Sequence, residues 1–340
     1  MTAVDNRSKA PLVAPAAAAT PTPKVDNRGL HVVFGTGQVG RALVAQLASM
    51  GVEVRSVSLH RPAVLAAGAD WHAADATDPH AAAQAAEGAS VVYQCLNAPY
   101  TQWPRRFPPL QRGVLAAAER AQALLVSLEN VYGYGPPTGG PMTEDLPLAA
   151  KTVKGRARAA MTQELMVAEE CGRVRIAIGR ASDFFGPGVT QSALGERVFA
   201  NAVAGRKADF IGDPDLLHTY SYVPDIATGL AVLGTDERAI GKVWHLPGPE
   251  TVSTSAVLDL VAAEVGHPVG IRNVPKLAVR ALGLVIPMMR GLAEMAYEFD
   301  GPFVLDTTRY ESTFGTAGTS LAIAIAATVD WYKNQWHIAR

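Results

Sequence analysis

LHVVFGTGQVGRALVAQLASMG, residues 30–51, decides the fold. An apolar run, Leu30–Phe34, leads directly into Gly35-Thr36-Gly37-Gln38-Val39-Gly40. Apolar residues through Arg41–Met50 then recur at helical spacing until Gly51 stops them. A strand, a Gly-x-Gly-x-x-Gly turn and a helix in this order form a dinucleotide-binding unit. Gly35 permits the tight turn, Gly37 lets the backbone approach a pyrophosphate, and Gly40 lets the helix close on the strand. The phosphates would rest on the unpaired amides at the helix N-terminus, around Gln38 and Val39, where the helix dipole favours anions.

Outward from this unit, apolar runs at 52–59, 90–96, 123–128 and 174–179 alternate with helical patterns such as Thr152–Glu170. That rhythm predicts an α/β fold, a doubly wound parallel sheet of the Rossmann type. After Arg180 it changes, and Gly and Pro punctuate ASDFFGPGV and DFIGDPDLLHTY. The expected organisation is a dinucleotide-binding domain over 29–180 and a smaller substrate-binding region over 181–340. Thr251–Gly266 and Leu321–Trp336 read as helices in that second part. Residues 1–28 are rich in Ala and Pro and are expected to form a disordered tail. Pro11, Pro15, Pro21 and Pro23 interrupt any signal-peptide core there, and Asp5 stands where a basic segment should be.

The 340 residues carry a net charge of −1, so no basic field is expected to hold nucleic acid or an acidic membrane surface. Ala281–Met289, the longest apolar run near the C-terminus, is far short of the roughly 20 residues a membrane-spanning helix needs. Two cysteines, Cys95 and Cys171, are too few for a disulfide framework or a zinc ribbon. These bounds point to soluble, cytoplasmic small-molecule chemistry. No Gly-x-Ser-x-Gly, no His-Glu-x-x-His and no paired His or Cys at ligand spacing occurs, which sets aside hydrolase and metalloenzyme readings.

Cofactor choice turns on the end of the second strand, where an NAD site usually offers a carboxylate to the ribose. From Val54 through Ala69 there is no Asp or Glu, while Arg55, His60 and Arg61 are present. That setting suits a 2′-phosphate, so NADP is the expected cofactor, with NAD as the alternative.

GTGQVG, GADWHAADATDP with Asp75, VYGYG at 131–135, GRASDFFGPG at 179–188 and YVPDIA at 222–227 together resemble the short-chain dehydrogenase/reductase superfamily. The likeness covers about residues 30–250 and is closest to its NAD-dependent epimerase/dehydratase branch, extended or atypical. It implies that Asp75 lies near the adenine and that about 222–247, with Asp225, returns to the Rossmann sheet. Members of the family usually carry Tyr-x-x-x-Lys, in which the Tyr exchanges a proton with the substrate oxygen and the Lys holds the nicotinamide ribose. None of the nine tyrosines here has Lys four residues later. Aligned with that motif, Lys154 replaces the Tyr and Arg158 the Lys, and the family's Ser falls on Leu128, or on Ser127 after a one-residue slip. His218 stands where sugar-nucleotide members place a diphosphate-binding Arg.

The candidate catalytic residues are therefore Lys154, Tyr132 and Arg158. Tyr134, Asn97, Tyr100 and Trp103 are candidates for the pocket, and His218 reads either as a ligand group or as a satisfied buried histidine. Lys151, Lys154 and Arg158 repeat at helical spacing and need a counter-anion, either Glu144 or Asp145 nearby or a bound cofactor. The expected function is an NAD(P)H-dependent oxidoreductase acting on a small, largely apolar ring ketone, as in a tailoring step of secondary metabolism. The alternatives are an epimerase or dehydratase with tightly held cofactor and a non-catalytic NADP sensor. A homodimer is compatible with all three.

Overall fold

The structure, a computed structural model, describes residues 29–338; the expected N-terminal tail lies outside the described residues. The strands are β1 (Leu30–Phe34), β2 (Glu53–Ser58), β3 (Ala69–Ala73), β4 (Ala89–Gln94), β5 (Leu124–Asn130), β6 (Arg175–Ala181), β7 (Asp183–Phe185), β8 (Ala208–Phe210), β9 (Leu217–His218), β10 (Tyr220–Tyr222), β11 (Lys242–His245), β12 (Val252–Ser253) and β13 (Ile271–Asn273). The helices are α1 (Gln38–Ser49), α2 (Pro79–Ala85), α3 (Trp103–Ala121), α4 (Val153–Glu170), α5 (Glu196–Val203), α6 (Val223–Thr235), α7 (Thr254–Val265), α8 (Lys276–Leu282), α9 (Pro287–Met295), α10 (Thr308–Phe314) and α11 (Leu321–Ile338).

Seven strands form one parallel sheet in the order β11-β6-β5-β4-β1-β2-β3. The central strands are covered on both faces, which is why LHVVF reads as a continuous apolar run rather than an alternating one. One core layer joins Leu43, Leu47, Val54, Leu230 and Trp244, with α1 packed on α6. The opposite layer joins Phe34, Val92, Leu125, Leu165 and Ile176 beneath α2, α3 and α4. A third core, around Phe185, Phe199, Val257, Ile325 and Tyr332, belongs to the C-terminal elements.

The order in which strands are added reverses between β1 and β4, the crevice where open α/β sheets bind ligands at the carboxyl ends of their strands. All the loops of interest leave that edge. After the small elements β7–β10, α6 and β11 come back to the sheet, and β11 pairs with β6 from Lys242↔Ala177 to His245↔Arg180.

Several boundaries differ from the sequence reading. β5 and β6 run on to Asn130 and Ala181, through Glu129 and Arg180, because these two residues face each other in the register and neutralise one another. α3 was not expected, since Pro104, Pro108 and Pro109 break its pattern; Pro104 sits in the first turn, where no N–H is needed. Among the described residues no helix is long and apolar enough to cross a membrane, and Ala281–Met289 is divided between α8 and α9.

Candidate functional site

The cradle on α1 has the features a pyrophosphate needs. Gly35 adopts φ +111°, and a Cβ there would lie 2.7 Å from the Cys95 carbonyl oxygen. A Cβ on Gly40 would lie 1.9 Å from the Gly35 oxygen, so helix and turn close only around glycine. A Cβ on Gly37 would meet nothing within 4 Å. Gly37 also caps α1 without a side chain, and the first turn carries no acid, so the amides that open the helix keep their donors for an anion. The residues present fit a dinucleotide.

The ribose end corrects one expectation. Arg55 donates to the carbonyls of Ala85 (2.9 Å) and Glu87 (3.3 Å) from the middle of β2, so it braces the end of α2 instead of the carboxyl edge. Arg61 is exposed on the loop that follows β2. Sequence reasoning missed Arg41, on the second turn of α1, which borders a small hollow with Ser56, Pro62 and Leu65 and reaches toward Gly188. Its signal was the position directly after the last glycine. Asp75 is exposed, and hydrogen bonds from the Thr77 amide and hydroxyl hold its carboxyl below the usual range.

α4 presses its N-terminus on the VYGYG loop: a Cβ on Gly155 would lie 2.6 Å from the Tyr132 oxygen. This contact brings Lys154, Arg158 and Tyr132 together. Lys154 is buried, and its ammonium pairs with Glu294 (Nζ–Oε2, 3.0 Å), donates to the Gly291 carbonyl (3.4 Å) and sits 4.3 Å from the centre of the Tyr100 ring. Glu294 also accepts from the Lys154 amide (2.9 Å). The counter-anion is thus Glu294 of α9. Glu144 and Asp145, which the sequence offered as counter-anions beside the alternative of a bound cofactor, pair with Arg309 instead.

Arg158 is 4% exposed, lies over Phe107 and donates to the Leu128 carbonyl (3.2 Å), while its Nε is buried without a partner. Burial lowers its pKa, opposed by Glu129. Leu128 offers no hydroxyl, and Ser127 is buried against Gln94 (3.5 Å). Tyr132 stacks on Trp103 (5.6 Å, 29°), and burial, then Glu298, pushes its phenol well above the usual value. It is therefore a hydroxyl that keeps its proton. Trp103 donates to the Ala98 carbonyl (3.0 Å), and Asn97 is exposed.

Beneath this edge runs a second buried network. Glu129 accepts from Arg180 Nε (3.1 Å) and Thr162 Oγ1 (2.7 Å). His245 Nδ1 bonds the Asp306 carbonyl (2.9 Å), which fixes the proton on Nδ1 and leaves Nε2 to accept from the Tyr134 hydroxyl (2.7 Å). Tyr134 is therefore occupied structurally. His218 is also committed: its Nε2 is 2.9 Å from Asp183, and its ring stacks on Phe299 (4.9 Å) and Phe303 (5.1 Å).

Beside Asp183 lies Glu298, 3% exposed, with Oε1 unpartnered; burial first and Asp183 second push its carboxyl well above the usual range. Two histidines shift the other way, since burial lowers both His31 and His245 to about 4. These shifts fix a pH dependence. Between about pH 4 and 6.5 the unfolded chain takes up protons on two histidines that the folded chain refuses, so their contribution to stability is lost as pH falls through that window; the raised carboxyl of Glu298 works in the opposite direction, since the folded chain keeps a proton there that the unfolded chain releases. Denaturant unfolding across this range measures the balance, and Glu298→Gln should make the rise of stability with pH steeper.

Among the described residues no group of His, Cys, Asp and Glu could hold a metal ion. The model of the NAD dependent epimerase/dehydratase family matches residues 32–246. No match was found among curated proteins. Solved structures similar in fold include the UDP-glucuronic acid 4-epimerase from Bacillus cereus in complex with NAD, at 17% identity and TM-score 0.71, covering 90% of this chain and 99% of that one. The dTDP-glucose 4,6-dehydratase DesIV from Streptomyces venezuelae, with NAD bound, aligns at 17% identity and TM-score 0.75, over 91% of this chain and 98% of that one. Epimerase Mth375 from Methanothermobacter thermautotrophicus aligns at 16% identity and TM-score 0.75, over 91% and 94%.

Proposed function

We propose, from the premise that the chain belongs to the NAD dependent epimerase/dehydratase family, that it binds a nicotinamide dinucleotide along Gly35–Gly40 and applies it to a small molecule in an epimerase- or dehydratase-type reaction. The observation that carries this reading is the open space at Gly37 in front of an uncapped helix N-terminus. Bound there, the dinucleotide supplies a hydride acceptor that can return what it takes. This is preferred to the net ketone reductase expected from the sequence, because the family is one of epimerases and dehydratases. Arg158 holds the nicotinamide ribose through its free Nε. Lys154 faces the substrate oxygen with Glu294 as its counter-ion, and Tyr132 donates a hydrogen bond as a neutral phenol.

The substrate in this reading is not a nucleotide sugar. At His218 a diphosphate would meet Asp183 and an aromatic stack where the family's Arg would receive it. A compact, largely apolar molecule fits better. The reading places the protein in the cytoplasm, and gel filtration tests for a homodimer. A non-catalytic sensor is the second reading, favoured by the closure of Lys154 on Glu294.

Two measurements decide among these. First, purified protein should retain oxidised dinucleotide through gel filtration, and fluorescence titration should show tighter binding of NADPH than NADH. Arg61→Ala or Arg41→Ala should cost NADPH about tenfold, since a partly buried Arg–phosphate contact is worth roughly 1.5–3 kcal/mol. Equal affinities untouched by either change would remove the case for NADP. Second, Lys154→Met should lower kcat about 100-fold with cofactor affinity unchanged, and Tyr132→Phe should cost less. A protein that binds dinucleotide but gives neither product nor the absorbance of transiently reduced dinucleotide with any candidate substrate is the sensor.

A further inference from the structure

The hairpin of α8 and α9 carries a protruding apolar tip. Leu277, Leu284 and Val285 are 77%, 78% and 78% exposed, and Leu282, Ile286 and Met288 are exposed beside them. From Lys276 through Ala293 the chain has no acid, while Arg280 and Arg290 are cationic; Lys276 at the base of the hairpin is paired with Asp300. The overall charge of −1 hides this local excess.

Much of the apex backbone is paired within the tip. The amides of Gly283, Leu284, Val285 and Ile286 donate to Val279 (2.9 Å), Ala281 (3.2 Å), Leu282 (3.1 Å) and Leu282 (2.8 Å), and residue 287 is proline. Arg290 folds back and gives Nε to the Gly283 carbonyl (3.0 Å) and a terminal nitrogen to that of Leu284 (3.2 Å). With these groups paired, the apex can settle into the headgroup–acyl boundary, where its remaining polar groups and the Arg290 guanidinium still meet water and headgroups.

From these observations we propose that the α8–α9 tip docks the protein on an anionic lipid bilayer surface, with Leu284 and Val285 inserted and Arg280 and Arg290 at headgroup level. Exposed apolar residues at the apex, flanked by Arg280 and Arg290 with no acid between Lys276 and Ala293, match the apolar interior and negative headgroups of an anionic bilayer. The position of the hairpin gives docking a use. Gly291 and Glu294 of α9 hold Tyr100 and Lys154, so the same element covers the candidate site. If the proposed apolar substrate is right, docking places its route of entry at the lipid. Only that last step rests on the proposed function; the docking itself rests on the hairpin.

The test is flotation of the full chain with vesicles of phosphatidylcholine containing about one-third phosphatidylglycerol, against phosphatidylcholine alone. Wild type should float with the anionic vesicles and be released by high salt. Leu284→Asp/Val285→Asp should reduce binding at least about tenfold, and Arg280→Glu several-fold, with circular dichroism and dinucleotide affinity unchanged. Wild type that fails to float, or a double variant that floats as well as wild type, overturns the docking. So does a wild-type dimer that the double substitution turns into monomer, because the tip would then be an interface between copies. Dinucleotide binding measured on the same samples keeps a failure of docking separate from a failure of the proposed chemistry.

Discussion

Gly37→Val should abolish the binding of NADH and NADPH alike, by about a hundredfold or more, while the thermal midpoint falls by no more than a few degrees. The two effects separate because of local geometry. Gly37 has φ −67°, which valine tolerates, and a Cβ there meets no protein atom within 4 Å. The added methyls would fill only the space where the pyrophosphate approaches the helix. Gly40→Ala is the contrasting change. Its Cβ would lie 1.9 Å from the Gly35 oxygen, so turn and helix must part, and overpacking of this kind costs about 1–3 kcal/mol in folding as well as binding. Isothermal titration and thermal unfolding of the two variants read both quantities. Retained affinity in Gly37→Val would place the dinucleotide elsewhere.

Arg180→Ala should be the most damaging substitution for stability. Arg180 and Glu129 are 3% and 2% exposed and pair at 3.1 Å, with Thr162 completing the set. Removing the guanidinium leaves a buried carboxylate without its counter-charge, a loss of about 3–5 kcal/mol. For a chain of this size the midpoint should drop by about 4–7 °C. Replacing both partners with methionine should recover most of the loss, because the pair spends its attraction on desolvation. A double variant as unstable as the single one would show that the network supports the fold in some way other than by neutralising Glu129.

The dinucleotide half of the fold was legible because each of its signals is local. A five-residue apolar run, three glycines and a helical repeat all lie within Leu30–Gly51. The sheet rhythm followed from burial of strands on both faces. Legibility failed where a distant residue decides the outcome. Glu129 and Arg180 look like strand terminators until each is seen opposite the other. α3 hides behind three prolines, of which only Pro104 sits in the tolerant first turn while Pro108 and Pro109 lie inside the helix. Lys154 and Arg158 were found by their place in a motif, but the partner of Lys154, Glu294, lies far away in sequence in a helix with no motif of its own. Arg55 and Arg61 were indistinguishable as letters; the acceptors available to Arg55 at the end of α2 separate them. Glu298 had no signal, since one acid between aromatic residues in AYEF gives no hint of burial.

The return of β11 to the sheet sets an order on synthesis. β6 is complete at Ala181, but its outer edge is covered only when Lys242–His245 arrive, after the whole of Ser182–Gly241. Until then the carbonyls of Ile176 and Arg180, which later accept from Gly241 and Leu246 at 2.8 Å each, face outward on an apolar strand. At about 5–20 residues per second that exposure lasts several seconds on the ribosome. An open edge of this kind recruits other strands. The nascent chain is therefore most vulnerable to self-association in that interval, and a chaperone that shields β6 there would raise the yield of folded protein without touching the finished molecule.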